Sequence, residues 1–377
     1  MLADAKQLEG LGQHVIHMEI GQPSFGSPEH VVSAAVEALR NGETKYVSPA
    51  GTLALREAIA EYTSSEKQVK ISAAQVVVGP GAKPGLLLSA LSVLNQGDEV
   101  IYPDPGFPAY KAICQIAGAN ERPVPLRPDG SSFDMPTLRG TINKKTKLMI
   151  INSPSNPTGG VMSREDLEEI AGLALEYNCW VLSDEIYSFL TYTDGPTFSL
   201  LNIPEMRERT IVVDGFSKTF CMTGWRLGWA IMPEELARRV ELMLVHSVGC
   251  TAAFTQTAGV AALRGPQAYK FEMLAEYRKR RDFVVQFLNQ IPGVVCPTPG
   301  GAFYAFPDIS AYGMSSKDLA QLLLHQGKVA VLPGVDFGAC GEGHLRISYV
   351  GNMNELEEGL RRMRECLNEV WNRKPTH

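Results

Sequence analysis

The stretch GFSKTFCMTGWRLG, residues 215–228, sets Lys218 directly after Ser217 and upstream of Arg226, among apolar residues punctuated by Gly215, Gly224 and Gly228. A buried lysine is costly unless its charge is paired or its pKa falls, so this setting points to chemistry. At its ordinary pKa of about 10.4 a lysine is almost wholly protonated at neutral pH, and it becomes an amine nucleophile only when desolvated or placed beside positive charge. Arg226 can supply that charge, and its planar fork can also hold a phosphate through paired hydrogen bonds.

Other residues with chemical potential also sit where apolar runs end. Asp184 in VLSDEIY closes such a run, and a desolvated aspartate stays charged only beside a cation or several donors. A pyridinium nitrogen would be such a cation, and the pairing would keep it protonated so that the ring draws electrons from a substrate carbanion. Asn156 in IINSPSNPTGG and Tyr187 could then donate to the phenolate oxygen of the same ring. In VVVGPGAKPG, Gly79, Gly81, Ala82 and Lys83 follow a strand and Pro84 lies near a helix start, where free N–H groups and the helix dipole would bind a phosphate. The glycine run departs from the dinucleotide fingerprint because Pro84 takes its sixth position. A Schiff-base lysine, an aspartate and an arginine together describe a pyridoxal phosphate pocket.

The elements that must hold these residues follow from periodicity. The β-branched runs QVVVG, DEVIYP, KLMIIN, NCWVLSD and TIVVDGF alternate with helix-like stretches such as SREDLEEIAGLALEY, which predicts a largely parallel sheet covered by helices on both faces. In such a sheet a ligand sits beyond the carboxyl ends of the strands, where the unusual residues cluster. Ser163 and Asp166 resemble a capping box with Asp in place of Glu or Gln. After about residue 265 a long charged helix, YKFEMLAEYRKRRDFVVQFLNQI, opens a second, smaller lobe.

With 377 residues the chain exceeds what one core usually serves, and 45% hydrophobic and 20% charged residues describe a globular protein. A net charge of −6 gives no reason to expect nucleic acid or an anionic membrane as partner. The seven scattered cysteines, without CxxC spacing, speak against a disulfide framework or a zinc site and fit a reducing cytoplasm. Neither an export signal nor a membrane-spanning run is expected. His14 and His17 are three apart but lack a third ligand type nearby, so no metal site is expected. Trp225, Trp229 and Met222 read as packing residues around the lysine segment, and Phe25, Phe107 and the residues around GGAFY could line an apolar side-chain pocket.

The chain resembles the class I aminotransferases of fold type I, which are aspartate aminotransferase-like pyridoxal phosphate enzymes. The resemblance covers nearly its whole length: IGQPSFGSP, YVSPAGTLALREAIA, GPGAKPG, PDPGFPAY, NSPSNPTGG, SDEIY, the lysine segment, PGGAFYAF and HLRISYV follow in the family's order. It implies an α/β fold with a large domain over 26–265, built on a mostly parallel seven-stranded sheet, and a smaller α+β domain from 1–25 and 266–377. It also implies a ping-pong transfer of the amino group of an L-amino acid to a 2-oxo acid. Lys218 would form the aldimine and shuttle the proton, Asp184 would bind the ring nitrogen, and Asn156 and Tyr187 would contact the ring hydroxyl. Gly81, Ala82, Lys83, Ser217 and Arg226 would surround the phosphate, and Phe107 would stack on the ring. Arg346 would clamp the substrate α-carboxylate with Asn156 and the Gly21 N–H, and Tyr46 would reach the phosphate of a second subunit in a homodimer. An N-terminal arm is expected to be short. Gly215 stands where many relatives have a phosphate-binding serine, and Cys221 where the residue is usually smaller or aliphatic. The same pocket could run carbon–sulfur β-elimination, and a more remote reading is a non-catalytic regulatory domain. No second cation for an acidic substrate is identifiable from the sequence, which leans the reading towards neutral amino acids.

Overall fold

The computed structural model describes residues 1–193 and 198–373. Twelve strands occur among them: β1 (Ile16–His17), β2 (Val76–Gly79), β3 (Glu99–Asp104), β4 (Asn120–Pro125), β5 (Thr146–Asn152), β6 (Trp180–Asp184), β7 (Thr210–Gly215), β8 (Gly228–Ile231), β9 (Tyr304–Ala305), β10 (Val329–Ala330), β11 (Leu332–Pro333) and β12 (Leu345–Ser348). Seven form one sheet in the order β2-β8-β7-β6-β5-β3-β4, the mostly parallel, seven-stranded sheet that the resemblance implies. Only β8 runs against its neighbours, β2 and β7. The β-branched runs form its centre because both faces are covered: β2, β3, β7 and β8 are buried along their whole length.

The six strands of common direction deliver their carboxyl ends to one rim. Asp104, Asn152 and Asp184 close β3, β5 and β6, while β7 runs directly into the short helix Phe216–Thr219 that carries Lys218. At the neighbouring edge Gly79, Gly228 and Gly215 stand abreast across β2, β8 and β7. A Cβ on Gly228 would lie 2.5 Å from the amide nitrogen of Ala82, and one on Gly215 would lie 3.0 Å from the Cα of Gly228. The side-chain-free row lets the helix Ala82–Leu91 start against the sheet.

Beyond the sheet, β9, β11 and β12 form an antiparallel sheet in the order β11-β12-β9, and β1 pairs in parallel with β10. The helices Ala268–Leu288 and Met353–Asn372 pack with them. This core also takes in Tyr187, Leu190 and Tyr192 from the segment after β6 and Cys221 from the lysine segment, so it reaches the chain on both sides of β7, the strand that leads to Lys218. At the cap of helix Arg164–Glu176 the Ser163 hydroxyl accepts from the Asp166 N–H, but Asp166 does not reach back to the cap. Its carboxylate instead takes two hydrogen bonds from Arg127, at 2.5 and 3.0 Å, since the aspartate side chain is shorter than that of the usual glutamate.

Candidate active site

One cavity of about 340 Å³ gathers the residues that the spacing singled out: Gly21, Ala82, Lys83, Phe107, Asn156, Asp184, Tyr187, Ser217, Lys218, Arg226 and Arg346 all line it. Gly81 lies at its edge, at the N-cap of the helix Ala82–Leu91. Its φ of 92° favours glycine there, and a Cβ would press on Arg226 Nη2 at 2.4 Å. Tyr46 is outside the cavity and 96% exposed. Phe25 is outside as well: it lines the adjoining cleft and packs edge-on against Tyr277, so the expected side-chain wall is formed by Phe107 and Tyr304 without it.

Lys218 projects into this cavity. Its Nζ donates to the Gly21 carbonyl and stands 6.0 Å from the ring centre of Tyr187 and 5.7 Å from that of Phe303. Its pKa is lowered to about 8, first by burial and then by the positive charges of Arg346, Arg226 and Lys83, with Asp184 opposing. Arg226 therefore has two helpers, and Arg346 weighs more than it does. At pH 7 an amine of pKa about 8 is neutral in about a tenth of molecules, against a few in ten thousand for an ordinary lysine.

Asp184 is buried, and desolvation raises its pKa to about 6. It is held by neutral donors, the Tyr110 hydroxyl at 2.9 Å and the Ile186 N–H at 3.3 Å, and among the described residues it forms no ion pair. The Asn152 side chain ties the strand ends together, donating to the Asp184 carbonyl at 2.9 Å and accepting from the Asn156 N–H at 2.8 Å. Arg346 is buried on β12, donating from Nη1 to Asn156 Oδ1 at 3.0 Å and from Nη2 to the Glu19 carbonyl at 2.6 Å. Its Nε has no hydrogen-bond partner among the described residues. Tyr187 and Tyr304 share a hydrogen bond of 2.9 Å, and Tyr304 lies so close to Gly21 that a Cβ there would meet its hydroxyl.

Asn152 and Tyr110 are absent from the residues selected by sequence, whereas Tyr304 belongs to the GGAFY stretch expected at the side-chain pocket. Asn152 and Tyr110 lie within motifs already quoted, but an asparagine inside an apolar strand and a tyrosine in the first turn of an apolar helix both read as structural. Cys221 is buried with a φ of 55°, its thiol pushed up to about 12 by burial and directed at Met273, which suits packing rather than chemistry. His17 bridges Glu9 and Glu19, and its pKa is raised by those hydrogen bonds against the opposing effect of burial.

Four cationic side chains, Lys83, Lys218, Arg226 and Arg346, therefore face a single carboxylate in one cavity. Such a site favours anionic ligands, while the buried Asp184 favours one cationic group. A phosphorylated pyridinium aldehyde matches both demands: Asp184 for its ring nitrogen, the helix start at Ala82 with Arg226 for its phosphate, and the amine of Lys218 for its carbonyl.

The chain matches the family model described as aminotransferase class I and II over residues 13–363. It is 39% identical to the aspartate aminotransferase of Pyrococcus horikoshii, covering 94% of this chain and 91% of that one. It superposes on the aromatic aminotransferase of Pyrococcus horikoshii with a TM-score of 0.92 at 38% identity, over 97% of this chain and 99% of that one. The aspartate aminotransferase of Thermus thermophilus with maleate gives a TM-score of 0.92 at 35% identity, over 97% and 94%.

Proposed function

Because the chain belongs to the class I and II aminotransferases, and so is a pyridoxal phosphate-dependent enzyme that moves an amino group between amino acids and 2-oxo acids, we propose a role for each side chain of the cavity and a substrate class. The observation that carries the assignment is the convergence of Lys218, Asp184, Arg226 and Arg346 on one cavity. Bound there, the cofactor supplies an electrophilic carbonyl for the substrate amine and a ring that accepts electrons from Cα. Asp184 keeps the ring nitrogen protonated, and Tyr110 and the Ile186 N–H orient its carboxylate. Gly81, Ala82, Ser217 and Arg226 hold the phosphate, with the Lys83 N–H at the same helix start. Phe107 would cover one face of the ring, and Asn156 and Tyr187 would contact its hydroxyl, all three lining the same cavity. Lys218 takes the proton from the substrate Cα at Nζ, where the lowered pKa makes the free amine accessible near neutral pH.

Arg346 binds the substrate α-carboxylate; Asn156 and the Glu19 carbonyl fix its guanidinium in place. The Lys83 side chain sets its Nζ over the Phe107 ring, 5.4 Å from the centre. With Arg346 engaged at one end of a substrate, Lys83 is the second cation that a distal carboxylate needs, which favours acidic donors such as aspartate over the neutral preference expected from sequence. The names of relatives such as the Pyrococcus horikoshii and Thermus thermophilus aspartate aminotransferases support the same class.

We further propose that residues 26–265 act as the cofactor-holding body and 1–25 with 266–377 as the substrate-side lobe. Two copies of the chain would pair in the cytoplasm so that an exposed Tyr46 reaches the phosphate end of the neighbouring site, where Arg226 is open to solvent in the single chain. Mixing the cofactor-loaded protein with single L-amino acids, without any 2-oxo acid, tests the reading. Loss of the visible cofactor band with stoichiometric 2-oxo acid is expected for aspartate or glutamate. Release of pyruvate and ammonia with the band restored would instead assign β-elimination, and a response confined to aromatic or aliphatic amino acids would remove Lys83 from substrate recognition.

A further inference from the structure

The lobes meet at a contact that none of the roles above employs. Asp104 ends β3, and the chain then passes through Pro105 and Gly106 to Phe107 in the cavity wall. The Asp104 carboxylate accepts the N–H of Cys340 at 3.0 Å, and two residues on the Gly106 N–H donates to the Phe337 carbonyl at 2.8 Å. Both acceptor and donor on the far side belong to the 337–340 turn, which follows β11, the strand paired with Arg346 of β12. The aromatic ring of that turn, Phe337, lies 5.0 Å from the Arg346 guanidinium.

The turn is shaped around the carboxylate. Gly338 has a φ of 128°, and a Cβ on it would fall 2.1 Å from Asp104 Oδ1. Asp104 is buried, and burial raises its pKa, so the contact holds a carboxyl group where plain packing would be served at less cost by an apolar side chain. Its backbone is fixed in turn, since the Asp104 carbonyl accepts from the Leu126 N–H at 3.1 Å.

We propose that Asp104 is a positioning residue: by bonding the Cys340 N–H across the lobe boundary it sets Arg346, through the 337–340 turn, at the working distance from the loop that carries Phe107. The inference rests on the reading of Arg346 as the carboxylate clamp. An acidic substrate must span from Arg346 on the small lobe to Lys83 and Phe107 on the large one, so a lobe that drifts weakens both ends of its grip at once. Cofactor contacts lie on the large lobe and are left in place.

The test uses the cofactor-loaded enzyme and three variants, with maleate as a non-reacting dicarboxylate measured by calorimetry alongside KM and kcat for aspartate. Asp104→Ala leaves the Cys340 N–H without its acceptor and should weaken maleate and raise KM about tenfold, with kcat changed by less than about threefold and cofactor content unchanged. Asp104→Asn keeps an acceptor oxygen in place and should restore both values to within about threefold of the parent. Unchanged maleate affinity and KM in Asp104→Ala, with only a lower melting temperature, would reduce Asp104 to a structural residue and overturn the proposal, as would an asparagine variant as weak as the alanine one. Should Asp104→Ala not fold, Gly338→Ala presses a methyl group on the same carboxylate from the other lobe, and unaltered maleate binding there would count equally against the proposal. Arg346→Lys serves as the control: if it binds maleate as the parent does, the clamp reading fails, whereas a weakened Arg346→Lys beside a normal Asp104→Ala refutes the positioning role alone.

Discussion

Tyr110→Phe separates the ionisation of Asp184 from every other property of the pocket. The Tyr110 hydroxyl donates to Asp184 Oδ2 at 2.9 Å, and even with that donor in place burial lifts the carboxyl to about 6. A carboxyl raised by folding binds its proton more tightly in the native chain. The apoprotein therefore loses stability from this group as pH climbs from about 4 to about 6, and at neutral pH the buried anion costs about 3 kcal/mol. Cofactor uptake has the opposite demand, because only the ionised carboxylate pairs with a pyridinium, so affinity should fall as pH drops through about 6. A hydrogen bond to a charged group contributes about 1.5–3 kcal/mol, or about one to two pKa units. Removing it should move the midpoint to about pH 7–8. Apoprotein titrated with pyridoxal phosphate across a pH series, read by tryptophan fluorescence, gives the midpoint directly. At pH 6 the variant should bind about 5- to 50-fold more weakly than the parent, and at pH 9 the two should nearly coincide; comparison at equal pH cancels the titration of Lys218. A midpoint that stays at about 6 would refute the account of Asp184, and so would a deficit that persists undiminished at pH 9.

Lys218→Ala should lower kcat by about 10³-fold or more while the cofactor is still retained without a covalent bond through Asp184 and Arg226; full turnover in steady-state assays would remove Lys218 from the mechanism. Arg346→Ala should lower kcat/KM about 100- to 1,000-fold with the visible cofactor spectrum intact, and a changed spectrum with unchanged substrate affinity would contradict the clamp. Lys83→Ala should lower kcat/KM for aspartate at least tenfold more than for alanine; equal losses on both would place Lys83 outside side-chain recognition. Gly228→Ala drives a methyl group to 2.5 Å from the Ala82 nitrogen and should cost about 1–3 kcal/mol of stability in thermal melts, with weaker phosphate retention; a parent-like melt would mean that the helix start shifts without penalty.

The sheet and the strand ends were legible because each unusual residue interrupts an apolar run, and a parallel sheet brings such interruptions to one rim. Asp184 and Lys218 stand out for that reason alone. Tyr110 did not, because its burial and its hydroxyl partner depend on how the helix Ala109–Ala117 packs across the sheet, 74 positions away from Asp184 in sequence. Phe25 was misplaced because aromatic character says that a residue is buried, not against which neighbour; Tyr277 claims it. Asp166 was read as half of a capping box, and one methylene fewer than glutamate sends it to Arg127 instead. The weight of Arg346 on the Lys218 pKa, and the Asp104–Cys340 contact, arise only when residues more than 100 positions apart in the chain are folded together.

Of the abreast glycines Gly79, Gly228 and Gly215, Gly228 is the one that leaves no room for a Cβ, which would fall 2.5 Å from the Ala82 amide nitrogen where the helix starts. Any other residue at Gly228 would push the helix start away from the sheet, so the backbone that leads into Ala82 is held to one course. The wall that carries the side chains of Lys83, Phe107 and Tyr304 is not bound by that backbone approach. A fixed helix start beside a wall of side chains suits a fold shared at TM-scores of 0.92 by enzymes named for aspartate and for aromatic amino acids.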